Sequence, residues 1–265
     1  MSFTRRSLFG LAATVGLAIA APALASAETI TVGAYPSNPP FEFKNASGAF
    51  EGFEVDIVTE VAKRLGMDVE ISDLGFQALF AATSSQRIDT AISSITITAE
   101  RLQSQSFTQP YYDADMGIAT RADSDVSGTG DLQGKILGGL SGSTGEAWIK
   151  ENQTTYGIAE VKGYNAQQDL LLDLAAGRID AAVSDVPGME YAFTRMKDLV
   201  VKERISTGEQ YAMMMTKDHP LLEKVNDALS EMKTDGTMAT IHEKWFGTAP
   251  PEGSSTATVM PIPTP

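Results

Sequence analysis

The chain has 265 residues, a formal net charge of −14 at pH 7 and no cysteine. A surface this acidic disfavours nucleic acid and anionic membranes as partners. The absence of cysteine excludes disulfides, a lipid anchor attached through an N-terminal cysteine, and any site that needs a Cys/His pair. The two histidines, His219 and His242, are far apart in the sequence, so we expect neither a cofactor nor a metal ion.

Residues 1–27 have the order of a secretory signal peptide. Arg5 and Arg6 precede an apolar run over residues 8–23, and the small residues Ala-Ser-Ala at 25–27 come just before the cleavage site that we expect ahead of Glu28. The apolar run is shorter than the roughly 20 residues that a membrane-spanning helix needs. The adjacent arginines are compatible with general or twin-arginine export. We therefore expect an exported protein whose fold begins at residue 28.

The segment from Gly52 to Leu65, GFEVDIVTEVAKRL, predicts an amphipathic helix. Apolar residues recur at three- and four-residue spacings, acids lie in the first turn, bases lie in the last turn, and Gly66 follows as a stop. By these properties alone it could be a surface helix after a turn. A helix does not require the order Gly-Phe-Glu-Val-Asp, however. That order resembles the signature of the bacterial extracellular solute-binding proteins of family 3.

The family resemblance extends over residues 29–247 and implies both a fold and a function. It implies an α/β fold of two similar lobes joined by a two-stranded hinge, the Venus-flytrap-like periplasmic-binding-protein type II. The lobes would close on an amino acid or amino-acid derivative and deliver it to an ABC transporter permease in the inner membrane. We therefore expect a periplasmic, monomeric protein that is not an enzyme.

An internal repeat independently favours two lobes. Residues 87–94, RIDTAISS, are echoed by residues 178–185, RIDAAVSD, and each copy follows a helix-like stretch and enters a short apolar run typical of a buried strand. Helix followed by strand is the unit from which parallel α/β sheets are built.

We assign residues 28–112 and 210–247 to lobe 1 and residues 113–209 to lobe 2, with the chain crossing near residues 112–116 and 206–211. Residues 248–265, rich in Pro, Ser, Thr and Ala, are predicted to be a disordered tail.

The first candidate site follows the strand of the first repeat. Residues 93–101, SSITITAER, offer hydroxyl groups, and Thr98 is placed to cap a short helical turn that begins at Arg101. A cation there opposes the helix dipole, so Arg101 either pairs with a surface acid or binds an anionic ligand. The run resembles the family's S-S-x-[ST]-I-T-x-x-R motif, whose arginine holds the amino-acid carboxylate. The resemblance therefore places Ser94, Thr96 and Arg101 in the ligand site.

The second candidate site lies in the predicted second lobe. Leu140 ends a predicted strand, and Ser143 and Glu146 form a capping box that is either only a cap or the start of an anion site at Thr144. In the family the matching turn binds the ligand carboxylate from the opposite lobe. Asp185 could simply begin a helix, but the family matches an acid here to the ligand's α-ammonium group.

The remaining predicted site residues concern the ligand's side chain. Phe76 either packs in the core or, as the resemblance implies, forms an aromatic platform for the ligand. The chain departs from the family at Asn38, where several members carry an aromatic ring. It departs again at Tyr35, where some binders of basic amino acids have an aspartate. These departures weaken the case for lysine or arginine as the ligand.

The alternative function is that of a periplasmic dehydratase-like enzyme on the same fold. Asp185 or Glu146 would then act as general acid, which requires a pKa raised by burial or by a neighbouring like charge.

Overall fold

The computed structural model describes residue 1 and residues 27–265; the predicted signal peptide therefore falls almost entirely outside the described residues. The strands are β1 (Thr29–Ala34), β2 (Ser37–Asn38), β3 (Glu42–Lys44), β4 (Phe50–Glu51), β5 (Asp68–Asp73), β6 (Thr90–Ile92), β7 (Gln105–Phe107), β8 (Tyr112–Arg121), β9 (Ile136–Leu140), β10 (Glu160–Tyr164), β11 (Ala181–Asp185), β12 (Leu199–Tyr211) and β13 (Met214–Thr216). The α-helices are α1 (Phe53–Leu65), α2 (Phe76–Ser84), α3 (Arg101–Ser104), α4 (Thr144–Tyr156), α5 (Gln167–Ala175), α6 (Val186–Phe193), α7 (Leu222–Thr234) and α8 (Thr237–Phe246).

Two five-stranded sheets of matching topology form the two lobes. Their strand orders are β5-β1-β6-β13-β7 and β10-β9-β11-β8-β12. In each sheet the first three strands are parallel and the last two pairings are antiparallel. The strands that follow the two copies of the repeat, β6 and β11, occupy the same third position. The prediction of an α/β fold with two similar lobes is therefore confirmed.

Each sheet is covered by helices on both faces. In lobe 1, α1, α7 and α8 enclose one apolar cluster and α2 encloses another. In lobe 2, α4 covers one face while α5 and α6 cover the other. None of the helices among residues 27–265 combines the length and the apolar character needed to cross a membrane.

Helix α1 forms where the periodicity predicts it. Ile57, Val58 and Val61 have no exposed surface, and burying an aliphatic side chain of this size contributes about 1.5–3 kcal/mol. The helix ends at Gly66, whose φ of 68° lies in the left-handed region that glycine adopts without steric cost. The apolar face thus fixes the helix against the sheet of lobe 1.

Strands β8 and β12 connect the two lobes. They run antiparallel, and Tyr112 opposite Tyr211 ends the pairing inside the core of lobe 1. The two rings stack with centroids 5.7 Å apart. At the other end β8 pairs with β11 of lobe 2. A register shift between Ile205 and Glu209 interrupts the ladder where the strands cross.

The C-terminal segment, residues 248–265, does not show the disorder that its composition predicted. Ser255 and Thr256 are buried. The Ser255 N–H donates to the Asp113 carboxylate at 2.8 Å, and the Thr256 hydroxyl donates to the Tyr111 carbonyl at 2.7 Å. Isolated hydrogen bonds hold this segment in place. The sequence therefore shows no apolar periodicity from which its docking could have been predicted.

Candidate ligand-binding cleft

A cleft of about 440 Å³ lies between the two lobes. Residues from β2, α2 and α3 line one side of the cleft, and residues from β9, α4, α5, β11 and α6 line the other. The structure brings all eight of the predicted site residues to this cleft, namely Asn38, Phe76, Ser94, Thr96, Arg101, Leu140, Thr144 and Asp185.

Arg101 begins the short helix α3, as the sequence indicated. The Arg101 N–H donates to the Thr98 hydroxyl oxygen at 3.1 Å. Its guanidinium donates to the carbonyl oxygens of Thr96 at 2.8 Å and Gly142 at 3.0 Å, and Gly142 belongs to lobe 2. Burial lowers the pKa of Arg101, although an arginine remains charged. A cation bonded to carbonyl oxygens keeps its charge available for an anion, which disfavours the alternative of a surface ion pair.

The N-terminus of α4 faces this guanidinium from lobe 2. The Ser143 hydroxyl caps the helix by accepting the Glu146 N–H at 3.1 Å. The Glu146 carboxylate accepts the Gly142 N–H, also at 3.1 Å, so both members of the predicted capping box serve the turn. The N–H groups of Thr144 and Gly145 lie in the first turn, where a helix has no internal acceptor for them. This end of α4 is therefore suited to an anion.

Gly145 is required for the close approach of α4 to the sheet. A Cβ atom at this position would lie 2.5 Å from the carbonyl oxygen of Val183, on β11. No real Cβ tolerates that distance from a backbone atom. The glycine therefore lets the helix N-terminus reach the cleft beside β11.

Asp185 ends β11 and lies at the start of α6, with Pro187 in the first turn. Burial raises the pKa of Asp185, and the positive charge of Arg101 opposes that effect. Asp185 thus has both features that the sequence left open, since it begins a helix and also faces the cleft. A buried carboxylate in this position is suited to an ammonium group.

Glu209 and Tyr211, on β12, lie beside Asp185, and sequence reasoning missed both as parts of the site. Burial, followed by the negative charge of Asp185, raises the pKa of Glu209 to about 7. Among the described residues, Glu209 Oε2 and the Tyr211 hydroxyl are buried without a hydrogen-bond partner. No local motif marks either residue, because only the pairing of the hinge strands brings them here. Tyr211 at the cleft and Glu209 behind it therefore place two further polar groups beside Asp185.

The remainder of the cleft would meet the ligand's side chain. Phe76 packs edge-to-face on Phe80, with centroids 5.6 Å apart, so it serves the core of lobe 1 and also lines the cleft. The Asn38 amide donates to the Ser94 hydroxyl at 2.9 Å. The Tyr35 hydroxyl accepts the Gln167 N–H of lobe 2 at 3.1 Å. Asn38 and Tyr35, the two residues that depart from the family pattern, therefore both form hydrogen bonds at the cleft.

Other lining residues come from α5, α6 and the turn after α6, which carry no sequence motif. They are Gln168, Leu171, Leu172, Gly188, Tyr191, Ala192, Arg195 and Met196. Their positions follow from the packing of these elements on the sheet of lobe 2.

A cleft with complementary groups on two hinged lobes captures a small molecule by closing on it, and this defines a solute-binding protein of two lobes. The model of the "Bacterial extracellular solute-binding proteins, family 3" matches residues 30–248, and the chain belongs to this family. The family resemblance noted at the signature helix is thereby confirmed.

Similar proteins are binding proteins and not enzymes. The lysine/arginine/ornithine-binding periplasmic protein of Escherichia coli is 35% identical over 254 residues, which cover 91% of this chain and 97% of that protein. The histidine-binding periplasmic protein of Salmonella typhimurium is 34% identical over 229 residues, which cover 83% and 88%. A solved structure described as an ancestral arginine-binding protein bound to arginine superposes with a TM-score of 0.79 at 35% identity, covering 83% of this chain and 98% of that one. These relatives favour the binding function over the dehydratase-like alternative.

Proposed function

We propose that this is a periplasmic protein that captures a zwitterionic α-amino acid, or a derivative of one, and delivers it to an ABC transporter permease of the inner membrane. The observation that carries the proposal is the separation of opposite charges in one cleft. Arg101 and the N-terminus of α4 form a site for an anion, and Asp185 forms a site for a cation. An α-amino acid carries a carboxylate and an ammonium group on the same carbon atom, whereas sugars and polyamines do not.

The carboxylate of the ligand would be bound from both lobes. Arg101 of lobe 1 offers two parallel N–H donors, and Thr144 of lobe 2 offers its backbone N–H at a helix N-terminus. Ser94 and Thr96 add a hydroxyl group and backbone groups beside them. Asp185 would accept the ammonium group. Since neither lobe alone holds all of these groups, a ligand stabilises the closed arrangement and shifts the population towards it.

The ligand's side chain would lie between Phe76 and Leu140, with Asn38 at its edge. Relatives of this chain are described as binding proteins for histidine, for L-cystine, or for lysine, arginine and ornithine. We do not carry a particular amino acid over to this chain, because Tyr35 and Asn38 differ from the residues of basic-amino-acid binders. We propose a monomer, because one chain supplies both walls of the cleft.

A thermal-shift screen tests the ligand class. Ligand-free protein would be incubated with each of the twenty amino acids, with opines, and with polyamines and sugars. A ligand at 100 times its Kd should raise the free energy of unfolding by about 2.7 kcal/mol. Stabilisation by polyamines or sugars, with none from any α-amino acid or derivative, would refute the proposal.

Arg101→Ala tests the carboxylate site with the amino acid found in the screen. Removing one partner of a buried charged pair typically costs about 2–5 kcal/mol, so calorimetry should show at least a tenfold loss of affinity. Arg87→Ala is the matched control, because Arg87 is an exposed arginine of the same lobe outside the cleft. If Arg101→Ala bound as tightly as Arg87→Ala, the carboxylate assignment would be wrong.

A further inference from the structure

Two carboxyl groups are buried behind the lobe 1 wall of the cleft. Glu42 on β3 and Glu54 on α1 have no exposed surface, and neither lines the cleft. Within the described part of the chain, neither forms an ion pair with a lysine or arginine. Burying two acids without a cation destabilises a fold relative to apolar side chains of similar volume. Their presence therefore calls for a role beyond packing.

The surroundings favour the proton on Glu42 more than on Glu54. Burial, followed by the negative charge of Glu54, raises the pKa of Glu42 well above its usual range. Burial also raises the pKa of Glu54, but hydrogen bonds from Glu42, Tyr111 and Ser94 oppose that effect. The Tyr111 hydroxyl, itself buried and with its pKa raised, donates to Glu54 Oε1 at 2.5 Å. These hydrogen bonds favour ionisation at Glu54 over Glu42 and make Glu54 the stronger acceptor.

The Glu54 carboxyl group accepts the backbone N–H of Ser94. The Ser94 N–H lies 2.9 Å from Glu54 Oε2 and 3.1 Å from Oε1. Ser94 has a φ of 48°, in the left-handed region that residues other than glycine rarely adopt. A strained residue persists only where its surroundings hold it in place, and such residues cluster at ligand sites. Glu54 supplies that restraint across 40 residues of sequence.

The position of Ser94 in turn constrains the side chain of Asn38 in the cleft. Its hydroxyl accepts the Asn38 amide at 2.9 Å, and Glu42 accepts the same amide at 3.2 Å. The Asn38 side chain reaches towards lobe 2, where its Oδ1 lies 3.5 Å from the point that a Cβ on Gly188 would occupy. A continuous set of hydrogen bonds therefore runs from the buried acids through Ser94 to Asn38, which faces Gly188 of the opposite lobe.

We propose that Glu54 is a positioning residue for ligand capture. Its carboxylate holds Ser94 in the left-handed conformation that presents Ser94 and Asn38 to the ligand, and it does not itself touch the ligand. The ligand part of this statement rests on the amino-acid-binding function proposed above. The positioning part concerns Ser94 alone, and it can be measured without any ligand.

The ligand-free test compares Glu54→Met with Tyr111→Phe. Tyr111→Phe is a matched control, because it removes a different hydrogen bond to the same buried carboxylate and leaves the Ser94 bond intact. In amide NMR spectra we expect the Ser94 amide of Glu54→Met to move upfield and to exchange with solvent at least tenfold faster. In Tyr111→Phe both properties should remain close to wild type. A Ser94 amide that is unchanged in Glu54→Met would overturn the proposal.

Glu54→Gln keeps a carbonyl oxygen for the Ser94 N–H and removes only the charge. Its Ser94 amide should move upfield by less than in Glu54→Met. If Glu54→Met does not fold, Glu54→Gln decides alone, and an unchanged shift would overturn the proposal.

The binding test uses L-arginine, L-histidine and L-cystine as probes. For each probe that the wild type binds, Glu54→Met should weaken the affinity at least tenfold, and Tyr111→Phe should change it less than threefold. Equal losses in the two variants would indicate a purely structural role and would overturn the proposal. If the wild type bound none of the probes or any other α-amino acid, the proposed function would fail, while the Ser94 amide measurements would still decide the positioning role.

Discussion

Glu209→Gln should remove a large pH dependence of stability. Burial, and then the charge of Asp185, raise the pKa of the Glu209 carboxyl group from its ordinary value of 4.5 to about 7. An acid whose pKa is raised by folding binds its proton more tightly in the folded state. Its contribution to stability is therefore complete below pH 4.5 and is lost as the pH rises through about 7.

The size of the effect follows from the pKa shift. One pKa unit corresponds to about 1.4 kcal/mol, so the whole shift corresponds to roughly 3 kcal/mol, and most of that falls between pH 5 and pH 8. Glutamine keeps the shape of the side chain and cannot ionise. The free energy of unfolding of the wild type should therefore fall by roughly 2–3 kcal/mol more than that of Glu209→Gln over this range.

Urea unfolding of ligand-free protein at pH 5 and pH 8, followed by tryptophan fluorescence, measures this difference. Glu151→Gln, a substitution at an exposed glutamate on α4, controls for the change in net charge. It should follow the wild type at both pH values. If Glu209→Gln also followed the wild type, the carboxyl group would not be protonated in the folded state, and the inferred coupling to Asp185 would be wrong.

Three further predictions concern the cleft and the C-terminal segment. Asp185→Asn should weaken every amino-acid ligand at least tenfold in calorimetry, because it removes the charge that faces the ammonium group; equal affinity would contradict that role. Phe76→Leu should change the order of preference among amino acids by about tenfold while retaining binding, and a uniform loss for all ligands would indicate a core role only. Deleting residues 249–265 should lower the free energy of unfolding by about 1–3 kcal/mol, because buried Lys233 and the Tyr111 carbonyl lose hydrogen bonds. An unchanged urea midpoint would show that the segment does not dock in solution.

Local patterns in the sequence predicted several helices and the two-lobe organisation of this protein. The apolar periodicity of residues 52–65 predicted α1, and Ser143 predicted the cap of α4 three residues before its hydrogen-bond partner. The repeat at residues 87–94 and 178–185 predicted two similar lobes. Helix periodicity and capping act within a few residues, so their signals are visible in the chain itself. The eight predicted cleft residues depended on the family resemblance as well, since short hydroxyl-rich turns alone left alternatives open.

Contacts between distant segments were decided only by the tertiary structure. Glu209 and Tyr211 lie beside Asp185 because β8 and β12 pair in one register, and a shift of one residue would turn both side chains to the other face. Glu54 meets Ser94 only once α1 has packed on the sheet of lobe 1. The C-terminal segment docks through isolated hydrogen bonds that have no sequence period. Burial and register arise from the whole fold, so the sequence alone did not predict the buried acids or the docked segment.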